Sequence, residues 1–186
     1  MVDRVTALSG HKQPGFQGDP ERTGLVLREV PDLVLHQVAV WPESIDEVGS
    51  VLAKLIGADA AAGPCSATTG ANGAMLRIDP MKWWLVGIEA PDFDADKAVT
   101  LDLSHSRTRL CVSGDDAAEF LNRHFPLDLR EASFPVGSVA SSATHHVGVT
   151  IWRSPEGYEM FIPRGFALSL WEGFVESAQQ FGVEIA

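Results

Sequence analysis

The sequence predicts an α+β fold made of two pseudo-repeated strand–helix–hairpin lobes, and three observations carry this. Short β-rich runs alternate with two clear helical stripes and one shorter run that reads as helix. The order strand, helix, loop, hairpin occurs twice. When Pro80 is set over Pro155, the runs LRIDPMKWWLV and IWRSPEGYEMF superpose around two proline turns. The implied internal duplication is roughly 70–80 residues long, and two such copies pair more readily into one body than into a solenoid.

The elements follow in chain order. Residues 1–24 are polar, carry scattered Gly and Pro, and show no sustained period. They are expected to form a flexible N-terminal arm. The folded part is expected over 25–186, as a single domain of two lobes at about 25–98 and 99–186. LVLHQVAVW (33–41) reads as a strand that Pro42 ends. Ser44 and Glu47 match the capping-box pattern at a helix start. Ile45, Val48, Leu52 and Leu55 then share one helical face, and Gly57 supplies a left-handed stop. Residues 58–73 are small and Gly-rich, which reads as a loop. They lack both the dinucleotide fingerprint and the phosphate-loop Lys. AMLRIDPMKWWLVGI reads as a hairpin turning on Asp79-Pro80-Met81-Lys82.

The second copy begins with VTLDLSHSRTRLCVSG, read as one strand closed by Gly114. DDAAEFLNRHF reads as a helix with Asp116 and Glu119 at its start and Ala117, Phe120, Leu121 and Phe125 inward. A loop then leads to a strand and to a second hairpin turning on Ser154-Pro155-Glu156-Gly157. The last helix presents Ala167, Leu170 or Trp171, Phe174, Ala178 and Phe181, and Gly182 stops it.

Composition excludes several classes of function. The 186 residues are 45% hydrophobic and 21% charged, which suits a globular chain. The net charge of −11, with no basic stripe, argues against nucleic acid as a partner. No apolar run reaches the ~20 residues that span a membrane. No signal-peptide pattern is present, so a cytoplasmic location and no membrane partner are expected. Cys65 and Cys111 are far apart and read as reduced thiols.

Several residues invite chemistry. Asp102, Ser104 and His105 suggest a triad, but strand neighbours point to opposite faces and cannot line up as nucleophile, base and orienter. His145-His146 suggests a metal, but adjacent strand positions diverge and no further ligands flank them. Arg107 and Arg109 fall on one strand face. They suit either a bound carboxylate or a bridge to the chain's own acids, and the bridge is favoured. Trp83 and Trp84 place one indole on each side of a sheet, so one must find a helix, a ligand or a partner. Trp83, Trp84, Arg107, Arg109 and Trp152 are therefore the interface candidates. The residues reveal no catalytic set, no cofactor motif and no metal site.

LDLSHSRTRLCVSGDDAAEFLNRHFPLDLREASFPVGSVA, followed by HHVGVTIWR, GYEMFIPR and FALSLWE, resembles the gamma subunit of heterotetrameric sarcosine oxidase across about residues 100–175. The most specific pieces are DLSHSRTRL, FPLDLR…FPVGSVA and IPRGFALSLWE. The resemblance implies a fold similar to the folate-binding domain of the aminomethyltransferase. It implies a non-catalytic chain that assembles with alpha, beta and delta subunits and scaffolds the flavin-bearing ones. Their joint reaction is the oxidative demethylation of sarcosine to glycine. FAD, FMN, NAD, zinc and tetrahydrofolate are expected in the other subunits and none in this one. The aminomethyltransferase pattern places an Asp just before the strand VTIWR, where this sequence has Val147 and Gly148. Neither Cys65 nor Cys111 sits in the K-G-C-Y-x-G-Q-E motif of the related iron–sulfur-repair proteins. Two alternatives remain at this point. One is a stand-alone folate or small-molecule binding module, with Arg107 and Arg109 meeting a glutamate tail and Trp83, Trp84 or Trp152 stacking on a pterin. The other is a gamma-like subunit of a related N-methyl amino acid dehydrogenase.

Overall fold

The computed structural model describes residues 5–19 and 21–186. In chain order the elements are β1 (Gly15–Gln17), β2 (Leu25–Val30), β3 (Leu35–Val40), α1 (Ile45–Ile56), β4 (Ala67–Thr69), β5 (Ala74–Asp79), β6 (Lys82–Val86) and β7 (Ala98–Asp102). They continue with β8 (Arg107–Ser113), α2 (Ala117–Asn122), β9 (Val139–Thr144), β10 (Val147–Ser154), β11 (Gly157–Pro163), α3 (Ala167–Ala178) and β12 (Val183–Ile185). The α+β class and the two proline-turn hairpins, β5–β6 and β10–β11, are as the sequence predicts.

The chain divides into two compact units, though not at residue 98. One unit holds Met1–Asp32, Ser106–Val136 and Ser141–Ala186; the other holds Leu33–His105 and Gly137–Ala140. The strand orders explain the difference. In the five-stranded sheet the order is β4-β5-β6-β3-β7, and in the seven-stranded sheet it is β1-β12-β2-β8-β11-β10-β9. The runs β4-β5-β6-β3 and β9-β10-β11-β8 are the same arrangement written twice, as expected of a duplication. The fifth place in each sheet is exchanged. β7, which leads the second copy, pairs with β3 of the first, and β2, which leads the first, pairs with β8 of the second. Each lobe thus completes its sheet with a strand from the other half of the sequence.

In the five-stranded unit, α1 lays Val48, Leu52 and Ile56 on Val38, Met75, Trp83 and Leu85, with Ile45 and Leu55 half-buried beside them. Burial of each large side chain there is worth about 1.5–3 kcal/mol. Gly57 ends the helix at φ 77°, where its amide reaches back to the last carbonyls. The helix start departs from the capping box. A 3-10 turn over Pro42–Ser44 leads into α1, so Ser44 already has helical angles and its side chain caps nothing. Ser44→Ala is therefore expected to change stability by less than about 0.5 kcal/mol in urea unfolding. A loss of about 1 kcal/mol or more would restore the cap.

In the seven-stranded unit, the residues expected to form a flexible arm are packed. Leu8 is fully buried, Lys12 pairs with Glu29 at 2.9 Å, and β1 adds antiparallel to β12. A three-residue strand is too short to show a period, which is why GFQ reads as coil. Asp116 does not cap α2; its carboxylate lies 3.4 Å from Arg22 instead. Gly182, at φ 67°, ends the last helical turn, and a Cβ there would lie 1.6 Å from the Arg22 carbonyl oxygen, so no other residue fits. The run 99–114 is two strands and not one. Asp102 accepts the Ser104 amide at 2.8 Å, which turns the chain between β7 and β8.

Candidate functional site

The two arginines singled out in the sequence lie on β8, two residues apart and therefore on one face of the strand. In the register of β8 with its neighbours, Glu159 faces Cys111, Phe161 faces Arg109, Arg28 faces Cys111, and Trp152 faces Glu159. Arg28, Arg109, Cys111, Trp152 and Glu159 therefore share one face of the seven-stranded sheet, as does Arg107 opposite Pro163. Glu159 is fully buried. Arg109 grips it with two hydrogen bonds, from Nε at 2.8 Å and from a terminal nitrogen at 3.0 Å. The Ser154 hydroxyl donates a third bond at 3.3 Å. The favoured bridge is thus the one that forms at Arg109, as a diagonal cross-strand pair. Arg107 is half-buried and donates to the Ser106 carbonyl at 3.2 Å, and burial lowers its pKa. Arg28 pairs with Glu156.

Cys111 sits at the centre of this face. Burial pushes its thiol up to about 11, and the Glu159 charge pushes the same way against Arg28 and Arg109. At pH 8 roughly one such thiol in a thousand is ionised. Iodoacetamide at pH 8 is expected to label the exposed Cys65 in the folded chain and to reach Cys111 only after unfolding. Equal labelling of both thiols in the native chain would overturn this burial.

The remaining candidates are placed as follows. Trp83 is 1% exposed and donates its indole N–H to the Ala62 carbonyl at 3.2 Å, with the Arg77 guanidinium 5.1 Å from its ring centre. Trp84 is 4% exposed and donates to Gln37 at 3.2 Å. Trp152 is buried as well. Neither indole of the Trp83-Trp84 pair is left over, because both sheet faces are covered at these positions. The exposed indole is Trp41, which the sequence reading passed over; its position at a strand end before Pro42 was the available signal. The Asp102, Ser104 and His105 cluster is a turn: the Ser104 hydroxyl bonds Leu35 at 3.0 and 3.4 Å, and Asp102 is held below its ordinary pKa by the Ser104 side chain and amide. His145 and His146 are not strand residues facing opposite ways. They are the exposed centre of the β9–β10 turn, at φ 46° and 66°. Among the described residues, no group of three His, Cys, Asp or Glu side chains could hold a metal ion. None of their helices is long and apolar enough to cross a membrane.

No family model matches this sequence, and no curated protein matches it. Solved structures do. A chain of heterotetrameric sarcosine oxidase from Corynebacterium sp. U-96, solved with pyrrole 2-carboxylate, is 24% identical with a TM-score of 0.73. The match covers 89% of this chain and 88% of that one. The glycine cleavage system aminomethyltransferase T from Bartonella henselae is 17% identical with a TM-score of 0.65, over 96% of this chain and 57% of that one. The fold is the aminomethyltransferase type. This chain spans about 57% of the aminomethyltransferase's length but nearly the whole of the sarcosine oxidase chain. On this face of the sheet the Arg109 charge is matched by Glu159 and the Arg28 charge by Glu156.

Proposed function

We propose that this chain is the non-catalytic gamma-type subunit of a heterotetrameric sarcosine oxidase, scaffolding the flavin-bearing chains that demethylate sarcosine to glycine. The carrying observation is the end-to-end match to one chain of such an enzyme, at 89% and 88% coverage, which makes the two chains nearly equal in length. The buried pairing of Arg109 with Glu159 supports the same reading, because it commits the arginine to holding the sheet. On this reading the partners are the alpha, beta and delta subunits. FAD, FMN, NAD, zinc and tetrahydrofolate belong to those chains.

The test is size exclusion of a native-source extract, following this chain by antibody and flavin by visible absorbance. Co-elution in a large particle that forms hydrogen peroxide from sarcosine is expected. Elution as a small colourless species would overturn the reading. A flavin particle that oxidises N-methylglutamate and not sarcosine would keep the subunit role and change the amine.

A further inference from the structure

The five-stranded sheet ends in β7, and that edge has the attributes of a socket. Two bonds bracket the β3–β7 ladder: the Leu103 amide donates to the Leu35 carbonyl at 2.8 Å, and the Trp41 amide to the Lys97 carbonyl at 3.3 Å. Antiparallel ladders alternate, so Val99 and Leu101 exchange bonds with Ala39 and Gln37. The N–H and C=O of Thr100, and the N–H of Asp102, then point away from β3, to the side where, among the described residues, the sheet has no further strand.

The side chains along this edge are apolar and open. Val99 is 56% exposed and Leu101 54%. Through the register they share a sheet face with Gln37 and Ala39, and Trp41, 53% exposed, extends that face by one more step of the strand. Its indole N–H donates to the Ala95 carbonyl at 3.1 Å, which lays the ring beside the start of β7. Chains normally protect such an edge with Lys, Pro or a bulge. Residues 98–102, AVTLD, contain no Lys and no Pro, and their register with β3 runs without a break.

Charge selects the occupant. The stretch 89–102 holds Glu89, Asp92, Asp94, Asp96 and Asp102, and its one cation, Lys97, is bound to Glu47 at 2.6 Å. A second copy would bring the same carboxylates against these, on a chain that already carries −11. A strand with Lys or Arg flanking apolar residues would meet opposite charge at both ends of β7 and extend the sheet by main-chain bonds.

We propose that the free edge of β7, with Trp41, Val99 and Leu101, receives an extended, basic strand from a flavin-bearing partner chain. This rests on the subunit reading above and names the surface that reading requires.

Hydrogen exchange on the free chain and on the flavin-containing particle tests it. The Thr100 and Asp102 amides are expected to exchange fast in the free chain and at least about tenfold more slowly in the particle. The V99K/L101K double variant should unfold like the wild type, since both positions are exposed, yet lose co-elution with flavin. Thr100→Pro is the companion: proline is tolerated where an edge amide faces outward, and it removes the bond a docked strand needs. Assembly should also weaken as salt rises from about 0.05 M to about 0.5 M. Particles that form normally from both variants, with Thr100 and Asp102 still exchanging fast, would overturn the edge while leaving the subunit reading intact. A chain that never co-elutes with flavin would overturn both. Protection of the same amides in a flavin-free dimer would assign the edge to a second copy and overturn the proposal.

Discussion

Glu159→Gln is expected to destabilise the chain by about 3 kcal/mol or more, as a fall in the urea midpoint at constant slope. The variant keeps the shape of the side chain and removes only its charge. Arg109, whose side chain is 19% exposed, is then left with an uncompensated cation inside the sheet face. The Ser154 hydroxyl loses its charged acceptor as well. The effect belongs to the unmatched charge more than to the pair itself, because both ions lost hydration when the sheet formed. A double variant, Arg109→Met with Glu159→Met, should therefore recover most of the loss. If Glu159→Gln lowers the unfolding free energy by less than about 1 kcal/mol, the pair is not desolvated as its geometry indicates.

Trp83→Ala is the second large change. Trp83 is fully buried among Val38, Val48, Leu52, Met75 and Leu85, and its indole N–H is spent on Ala62. Truncation leaves a cavity under α1 and an unmatched carbonyl, for an expected loss of about 3–5 kcal/mol. Domains carry about 5–15 kcal/mol in total, so the variant should approach the folding threshold at 37 °C. Trp41→Ala, at an exposed indole, is the control and should lose no more than about 1 kcal/mol. Equal losses from the two would mean that the burial of Trp83 is not what holds α1 to its sheet.

Local patterns made much of this fold legible. Helix α1 follows from four apolar residues at helical spacing and a glycine stop, and both hairpins follow from proline turns between β-rich runs. What stayed hidden depends on residues far apart in the chain. The turn at Leu103–Ser106 looks like strand because Leu103 keeps the alternation, while the side chains of Asp102 and Ser104 bend and hold it. The partner of Arg109 lies 50 residues away, although a lone carboxylate in the apolar strand YEMFI was a signal for a buried pair. The two tryptophans could not be sorted by alternation alone, since what covers each sheet face is decided by the tertiary fold. His145 and His146 occupy left-handed turn positions that usually go to Asn or Gly, so the spacing misread them as strand.

The exchange of β2 and β7 between the sheets sets an order on synthesis. Leu27 faces Val112 across the β2–β8 ladder, so β2 leaves the ribosome 85 residues before its partner. At about 5–20 residues per second that is a wait of roughly 4–17 s. During this wait the first half already holds β3, α1 and the β5–β6 hairpin, while Leu25 and Leu27 have no sheet to join. The nascent chain therefore carries an unpaired apolar strand that a holding chaperone would recognise, and the seven-stranded sheet can close only after β8 and then β11 and β12 have been made.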